Sequence, residues 1–291
     1  MRTFPLCTFS IVAHDPAEVA WGVAVASKFL AAGAVVSWAQ AGAGAVATQA
    51  LARVSAGPQG LALMAAGLSA EDTLERLVRD DPGRAHRQIG LVDAQGRSAA
   101  YTGEECLPWA GHRLGQGYTC QGNILTGPET LDAMATAFES TPGDLAARLL
   151  AALRAGDTAG GDRRGKQSAG LLVVKPGGGY GGDNDRYLDL RVDDHPDPVN
   201  RLAELLDLHR LYFGSTPSEA RLPIDEALAR ELQTMLTRHG YYRGPIHGQW
   251  DEASIAAFWQ FVGTENLEER WSPDDAHRLD PVVLDFIRAR F

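Results

Sequence analysis

The sequence predicts an α+β fold in which two stacked antiparallel sheets are covered by helices on both sides, followed by a small all-α domain. Strand clusters alternate with pairs of helices, which does not match the single-strand, single-helix alternation of a doubly wound sheet. The polar stretch at 214–223 carries two prolines and is typical of a linker. The residues after it are richer in aromatics and in long helical segments.

The first strand cluster is predicted to be a hairpin. Residues 8–13 and 22–27 are short runs of strand-forming residues, with the turn signal His14-Asp15-Pro16 between them. The apolar, glycine-rich stretch 33–50 predicts a strand, a tight turn at 42–44 and then the start of a helix.

The remaining elements follow from hydrophobic spacing and turn residues. We expect, in order, helices over 48–66 and 69–79 with Ser69 as an N-cap, a strand–turn–strand over 88–101, a short strand over 117–121, helices over 128–139 and 142–154, strands over 168–175 and 187–193, and a helix over 198–212. These elements assign 1–212 to the αββα domain, 213–223 to the linker and 224–291 to the helical domain.

Composition narrows the function classes. With a net charge of −10, the chain lacks the basic surface that general nucleic-acid binding needs. It has no apolar run of 18 residues and no secretory signal at its start, so a cytoplasmic location is expected. The three cysteines form no C-x-x-C pair and the acidic stretch 183–197 has no metal-ligand spacing, so we expect neither a metal nor a cofactor.

An ordered set of motifs carries a family resemblance. The segments TFSIVAHDP, GVAVASKFLAAG, AGAGAVATQA, VDAQGRSAAYTG, QGNIL and GGDRRGKQSAGLLVV together resemble an uncharacterised bacterial family assigned to the N-terminal-nucleophile (Ntn) hydrolase superfamily, over about residues 8–212. Several of these segments are also similar to proteasome-type β subunits. The resemblance implies a four-layer αββα sandwich and leaves the reaction unassigned.

The chemistry of that superfamily depends on a free chain terminus. The nucleophile is the first residue of the mature chain, and its own α-amine, which titrates near 7.7–8.0, acts as the base. The resemblance implies that Thr8 is the nucleophile and that the backbone N–H of Gly42 or Gly44 contributes to an oxyanion hole. It also implies that Asn123, Asp162 and Ser168 orient the reacting groups.

Each of these residues also has a purely structural interpretation. Thr8 could be an ordinary β-branched strand residue, and the two glycines could serve close sheet–helix packing. Asn123 could cap the helix that begins near 127. Asp162 could pair with a neighbouring cation, either Arg163, Arg164 or Lys166.

Two departures from the proteasome-like pattern bear on catalysis. Proteasome-like sites have a lysine on the strand after the first hairpin, but residues 33–40 contain none. Lys28 lies earlier in the chain and is instead a candidate substrate-binding residue. Met1–Cys7 precede Thr8 and would have to be removed to free its amine. After a different cut, Cys7 would compete as the nucleophile.

The C-terminal stretch 228–261 resembles the peptidoglycan-binding helical repeat. It carries the pattern L-Q-x-x-L-x-x-x-G-Y-Y, followed by G-x-W-D-x-x-S-x-x-A-x-x-x-F. Tyr241, Tyr242 and Trp250 could stack on a sugar or could close the small core.

Two functions follow from these observations. The first is an amidohydrolase that acts on a small amide or peptide-like substrate, with peptidoglycan fragments as a source. The second is a non-catalytic binding or assembly protein of the same fold, with the C-terminal domain as its adaptor. A homo-oligomer is expected in either case, since sheets of this fold often associate.

Overall fold

The computed structural model describes residues 8–291, and the chain forms two compact units that meet at Leu205 and Leu206. This boundary lies within a helix and precedes the predicted linker. Mixed α and β structure, with a helical C-terminal region, confirms the predicted class at that level. No helix in the described residues is long and apolar enough to cross a membrane.

The first unit is built around two antiparallel sheets. Six strands, in the spatial order β10-β9-β2-β1-β8-β7, form one sheet, and four strands in the order β3-β4-β5-β6 form the other. The strands are β1 (Thr8–Asp15), β2 (Ala20–Ser27), β3 (Ser37–Gln40), β4 (Gly44–Ala50), β5 (Arg87–Asp93), β6 (Ser98–Thr102), β7 (Gly111–Gly115), β8 (Tyr118–Asn123), β9 (Ser168–Val174) and β10 (Arg186–Val192).

Helices connect these strands. They are α1 (Ala32–Val36), α2 (Ala56–Ala65), α3 (Ala70–Arg79), α4 (Glu129–Ser140), α5 (Leu145–Thr158) and α6 (Pro198–Phe213), the last of which contains the boundary between the units. Helices α2 and α3 pack on the four-stranded sheet, whereas α4 and α5 pack on the six-stranded sheet. The predicted N-cap is present, because the Ser69 side chain accepts a hydrogen bond of 3.0 Å from the backbone N–H of Asp72.

The facing sheets enclose an apolar core. Alternate side chains of β1, β2, β4, β5 and β9 meet there, among them Val12, Val25, Ala47, Val92 and Leu172. The opposite face of β4 and β5 packs against α2 and α3 through residues such as Val46 and Leu91. Strands β2, β4 and β9 are therefore buried on both faces, which explains why most of their residues are apolar.

The stretch after the 42–44 turn differs from the prediction. A helix was expected to start near 48, but β4 runs to Ala50 and α2 begins at Ala56. Pairing with β5 over all seven residues of β4 keeps this alanine-rich segment extended. Strand β7 was not predicted, because GHRLG has no clear apolar alternation.

The second unit contains three helices besides the end of α6: α7 (Glu226–Arg238), α8 (Glu252–Glu265) and α9 (Pro281–Arg290). A pair of two-residue strands, β11 (Leu222–Pro223) and β12 (Arg278–Leu279), joins its two ends. Its core is aromatic, with Phe258, Phe261 and Trp271 fully buried. Asp225, Asp251 and Asp280 cap the three helices.

Candidate active site

Four polar side chains form a row across one end of the six-stranded sheet. Thr8 pairs with Ser27 on one side and with Asn123 on the other, and Ser27 pairs in turn with Ser168. Residues that lie directly opposite on neighbouring strands point to the same face of the sheet. The Thr8 Oγ1 and Ser27 Oγ atoms are 3.1 Å apart, and all four side chains are buried.

A network of buried amide side chains links this row to the facing sheet. Gln49 of β4 donates through Nε2 to the Thr8 carbonyl at 3.4 Å and to Gln88 Oε1 at 2.9 Å. Gln88 Oε1 also accepts from Asn123 Nδ2 at 3.0 Å. Ser10, two residues after Thr8, donates to Gln49 Oε1 at 2.6 Å and accepts from Gln121 Nε2 at the same distance. The layer between the sheets is therefore polar at the end where Thr8 lies and apolar elsewhere.

Asn123 has one unsatisfied atom. Its Nδ2 group donates to Gln88, but its Oδ1 atom is buried and has no hydrogen-bond partner among the described residues. Asn123 precedes Ile124, which adopts a positive φ of 51° as the chain leaves the sheet. The side chain thus belongs to the last strand position and does not cap α4, which begins at Glu129.

Asp162 holds the backbone next to the row. Its Oδ2 atom accepts a 2.8 Å hydrogen bond from the backbone N–H of Lys28, the residue after Ser27. The Arg164 side chain binds both carboxylate oxygens, at 3.1 and 2.9 Å. Asp162 therefore forms the ion pair that was one of its two interpretations, and its link to Thr8 passes through the backbone of β2. The Lys28 ammonium group turns away and donates to the Lys166 carbonyl at 3.2 Å.

Ser168 is engaged with the segment that follows β2. Its hydroxyl donates to the Phe29 carbonyl at 2.5 Å and accepts from the Ala32 N–H at 3.0 Å. The Ser168 hydroxyl thus fixes the entry to α1 and stands two strands away from Thr8.

Gly42 and Gly44 do not lie beside Thr8. Gly44 begins β4, whereas Gln49, which contacts Thr8, lies near the other end of that strand. Five residues of extended chain separate the two positions by about 16 Å. A Cβ atom on Gly44 would overlap the Val92 carbonyl oxygen, and both glycines have positive φ, 74° and 144°. These glycines serve the turn and the close approach of β4 and β5, so neither contributes an oxyanion-hole donor to Thr8.

A cavity of about 310 Å³ opens at the end of the row. Its walls are Ala50, Leu51, His86, Glu105, Cys106, Leu107 and Asn123. His86 Nε2 and Glu105 Oε2 are 2.7 Å apart, and both side chains are about half exposed. The Cys106 thiol contacts the Arg87 carbonyl, and burial raises its pKa above the ordinary value. The cavity is therefore lined mainly by apolar side chains, with the buried Asn123 amide in its wall and the paired side chains of His86 and Glu105 at its exposed side.

Several residues of this site were not predicted. The buried polar residues Ser10, Ser27, Gln49, Gln88 and Gln121 were not singled out, and neither was the pair of His86 and Glu105. For all of the first group except Gln121 a signal was present, since each is a polar residue at an inward position of a mostly apolar strand. Cys7 and the predicted removal of Met1–Cys7 lie outside the described residues.

The aromatic residues predicted to bind sugar take different positions. Tyr242 and Trp250 are buried in the core of the second unit, where the Trp250 Nε1 group donates to the Ala276 carbonyl at 2.8 Å. Tyr241 packs against that core and meets the Phe261 ring edge-on. Burial leaves Tyr242 and Trp250 no open face for stacking, so their role is to close the core. Trp259, which is 40% exposed, is the aromatic residue that faces solvent on α8.

Within residues 8–291, no group of three or more His, Cys, Asp or Glu side chains is placed to hold a metal ion. The acidic stretch instead forms local pairs, such as the two hydrogen bonds between Asp189 and Arg191.

Comparison with known proteins assigns the family. Residues 8–202 match the model of a family of unknown function, DUF1028, and residues 212–287 match the model described as "Putative peptidoglycan binding domain". No curated protein matches the chain significantly. Protein SPO2555 from Silicibacter pomeroyi, a DUF1028 protein of known crystal structure, is 34% identical to this chain, and the match has a TM-score of 0.64 and covers 70% of this chain and 89% of that one. The chain therefore belongs to the DUF1028 family, whose function is unknown, and carries a C-terminal region similar to peptidoglycan-binding domains.

Proposed function

We propose that the first unit is an Ntn-type amidohydrolase in which Thr8 is the nucleophile. Two facing sheets with a helix pair on each outer side support the assignment to that superfamily. The observation that carries the proposal is the position of Thr8. It opens a central strand, and its hydroxyl lies 3.1 Å from Ser27 Oγ within a row of buried polar side chains.

The reaction begins when residues 1–7 are removed, because the Thr8 nitrogen becomes an α-amine only then. The amine accepts the proton of Oγ1 as that oxygen attacks the substrate carbonyl carbon. Collapse of the tetrahedral intermediate breaks the C–N bond, the leaving nitrogen takes the proton, and an ester on Thr8 remains. Water, deprotonated by the same amine, hydrolyses this ester and restores the hydroxyl.

The neighbours of Thr8 supply positioning in this proposal. Ser27 shares a hydrogen bond with the nucleophilic hydroxyl, and Gln49 holds the Thr8 carbonyl. Asp162 fixes the chain immediately after Ser27 through the Lys28 N–H. These contacts keep the Thr8 side chain in one orientation, which is the contribution that pre-organised geometry makes to catalysis.

The substrate class follows from the second unit. Because residues 212–287 resemble a peptidoglycan-binding domain, we propose that the amide comes from a cell-wall fragment.

Activity of a chain that starts at Thr8 tests the proposal. Such a chain can be made behind a leader that a specific protease removes, and it is assayed on N-acyl amides and muropeptides by chromatography. We expect hydrolysis by this chain, retention of part of it in Thr8→Ser, and a loss of about a thousandfold or more in Thr8→Ala. Equal rates for the Thr8→Ala chain and its parent would exclude Thr8 as the nucleophile.

A specific observation favours the second candidate, a non-catalytic binding protein. Thr8 is fully buried, and Gly44, one of the two glycines proposed for the oxyanion hole, lies about 16 Å along β4 from Gln49, which contacts Thr8. In a binding protein the polar row would serve only to specify the register of the sheets. A Thr8-start chain that binds muropeptides without hydrolysing them would support this alternative.

A further inference from the structure

We propose that the cavity beside Asn123 binds a small, neutral peptide-like ligand and that Asn123 Oδ1 accepts a hydrogen bond from an amide N–H of that ligand. The inference rests on the proposed function for its placement next to Thr8 and names the substrate group that the site recognises. Binding itself requires no cleavage and can be tested separately.

The hydrogen-bond network fixes which atom Asn123 presents. Gln88 Nε2 lies 3.0 and 2.8 Å from the Gly111 and Gly122 carbonyls, which can only accept, and 3.0 Å from the Thr102 hydroxyl. Gln88 Oε1 must therefore face Gln49 and Asn123, and both must offer it an N–H group.

The orientation of Gln49 is fixed in the same way. Its Nε2 group donates to the Gln121 carbonyl at 3.2 Å, and its Oε1 atom accepts from the Ser10 hydroxyl. With both glutamines oriented, the Asn123 amide cannot flip without setting two carbonyl oxygens against each other. The atom left without a partner in the described residues is the acceptor Oδ1.

An acceptor buried without a donor costs about 1–3 kcal/mol. Asn123 is 1% exposed and lines the cavity, so a group held in the cavity can supply the missing donor. A ligand N–H meets this need, whereas an ester or carboxylate oxygen does not.

The remaining walls define the rest of the ligand. Ala50, Leu51 and Leu107 present aliphatic surface, which suits a small aliphatic side chain. His86 and Glu105 already pair with each other at the exposed side, so the ligand need not carry a charge there. A volume of about 310 Å³ lies at the lower limit for small-molecule sites and suits a ligand of dipeptide size.

Register connects this ligand to the nucleophile. Asn123 and Thr8 are direct partners in the antiparallel pair of β1 and β8, so their Cβ atoms lie about 5 Å apart. A ligand whose N–H bonds to Asn123 would therefore carry a neighbouring carbonyl within a few ångströms of Thr8 Oγ1. The cavity would hold one side of the scissile amide in this arrangement.

Matched probes test the hydrogen bond directly. The first is N-acetyl-L-alanyl-L-alanine methylamide, and three further probes each replace one of its N–H groups by an ester oxygen. Protection of Cys106 from iodoacetamide reports occupancy, because Cys106 lines the cavity while Cys120 is fully buried. The assay uses the full-length chain with Cys7→Ser at pH 8.5 and locates the label by peptide mass.

We expect the amide probe to protect Cys106 and one of the ester probes to bind about tenfold more weakly. Asn123→Leu should weaken the amide probe by a similar factor, since it removes the acceptor while Gln49 still satisfies Gln88. Asn200→Leu, an exposed asparagine on α6, is the matched control and should leave protection unchanged. Equal binding of all four probes, or no protection by any of them, would overturn the inference.

Two controls distinguish loss of ligand binding from misfolding and from loss of catalysis. If Asn123→Leu fails to fold, the probe series still decides, because it leaves the protein unaltered at that position. Thr8→Ala separates this inference from the proposed function. Equal protection in Thr8→Ala and in its parent, with no hydrolysis by the parent, would contradict catalysis and leave the ligand site standing, whereas hydrolysis by the parent that Thr8→Ala abolishes, with identical binding of all four probes, would do the reverse.

Discussion

The interiors of the two units are built from different interactions. Between the sheets of the first unit, at the end where Thr8 lies, four buried amide side chains share directional hydrogen bonds: Gln49, Gln88, Gln121 and Asn123. In the second unit, aromatic rings pack edge to face, with the centroids of Phe258 and Trp271 4.8 Å apart. Gln233 is the buried amide of that unit, and it bonds to Ser254 and to two backbone groups.

This difference separates two uses of a protein interior. Aromatic packing contributes stability in proportion to the area buried, and it tolerates small shifts. An amide network contributes less net stability, but it fixes the orientation of every member. The first unit has such a network beside its candidate nucleophile, where orientation matters for chemistry.

Truncation of an aromatic ring should have the largest effect on stability. Phe258→Ala should lower the free energy of unfolding of the second unit by about 4 kcal/mol, because a fully buried ring leaves a cavity. Hydrogen exchange followed by mass spectrometry can measure this for each unit separately. Trp259→Ala, at the adjacent, 40% exposed position, is the control and should cost much less. Equal losses for the two variants would contradict the core assignment.

Removal of a central amide should come next. Gln88→Leu leaves the carbonyls of Gly111 and Gly122 and the Asn123 amide without their partner, for a loss of about 3 kcal/mol in the first unit. Gln233→Leu leaves two backbone groups, the Gln249 carbonyl and the Gly248 N–H, without this partner, so it should lower the free energy of unfolding of the second unit by about 2 kcal/mol. Denaturant unfolding with the same exchange readout compares them. A Gln88→Leu protein as stable as its parent would mean that the network is not formed.

A helix cap should give a smaller and pH-dependent effect. Asp251→Ala removes the N-cap of α8, at a cost of about 1 kcal/mol near pH 7. The Ser254 backbone N–H and hydroxyl lower the pKa of Asp251 below 3.8, its ordinary value. Its stabilisation is therefore present above pH 3.8 and is lost as pH falls through the folded-state pKa. In that acid range, urea unfolding should give the same free energy of unfolding for the parent and for Asp251→Ala. A difference as large as that near pH 7 would contradict the capping role of Asp251.

The smallest effect concerns His112 in the first unit. Burial, followed by the charge of Arg113, lowers the pKa of His112 below 6.5, and its ring is hydrogen-bonded to Thr102. The folded state favours the neutral ring. The contribution of His112 to the free energy of unfolding is therefore fully present above the unfolded-state pKa near 6.5 and is lost as pH falls below that value. NMR titration of the ring should give a midpoint below 6.5. The ring signals of His86, at the exposed side of the cavity, can be followed in the same NMR titration for comparison.

Much of the fold was predictable because local patterns specify it. The Ser69 cap, the hairpin of β1 and β2 and the strands at β5, β6 and β9 each follow from a few neighbouring residues. The helix expected near 48 was wrong because pairing with β5 extends the alanine-rich segment. Alanine favours helices locally, and only the partner strand reverses that preference.

The site was less predictable, because its members come from six strands. Thr8 and Asn123 meet in register, but no spacing in the sequence specifies that pairing. Gly42 and Gly44 follow the right motif and still lie at the opposite end of β4 from Thr8. Tyr242 and Trp250 carry the residue types that bind sugar, yet they are buried, and burial depends on how α7 and α8 pack.

Intact mass and amide hydrolysis, both measured on the purified full-length protein and on Thr8→Ala, decide whether Thr8 is an N-terminal nucleophile freed by processing. We expect the parent to lose residues 1–7, leaving a chain that starts at Thr8 and hydrolyses amides, and the Thr8→Ala chain to be inactive. A parent that keeps all 291 residues and hydrolyses amides as fast as Thr8→Ala would contradict it.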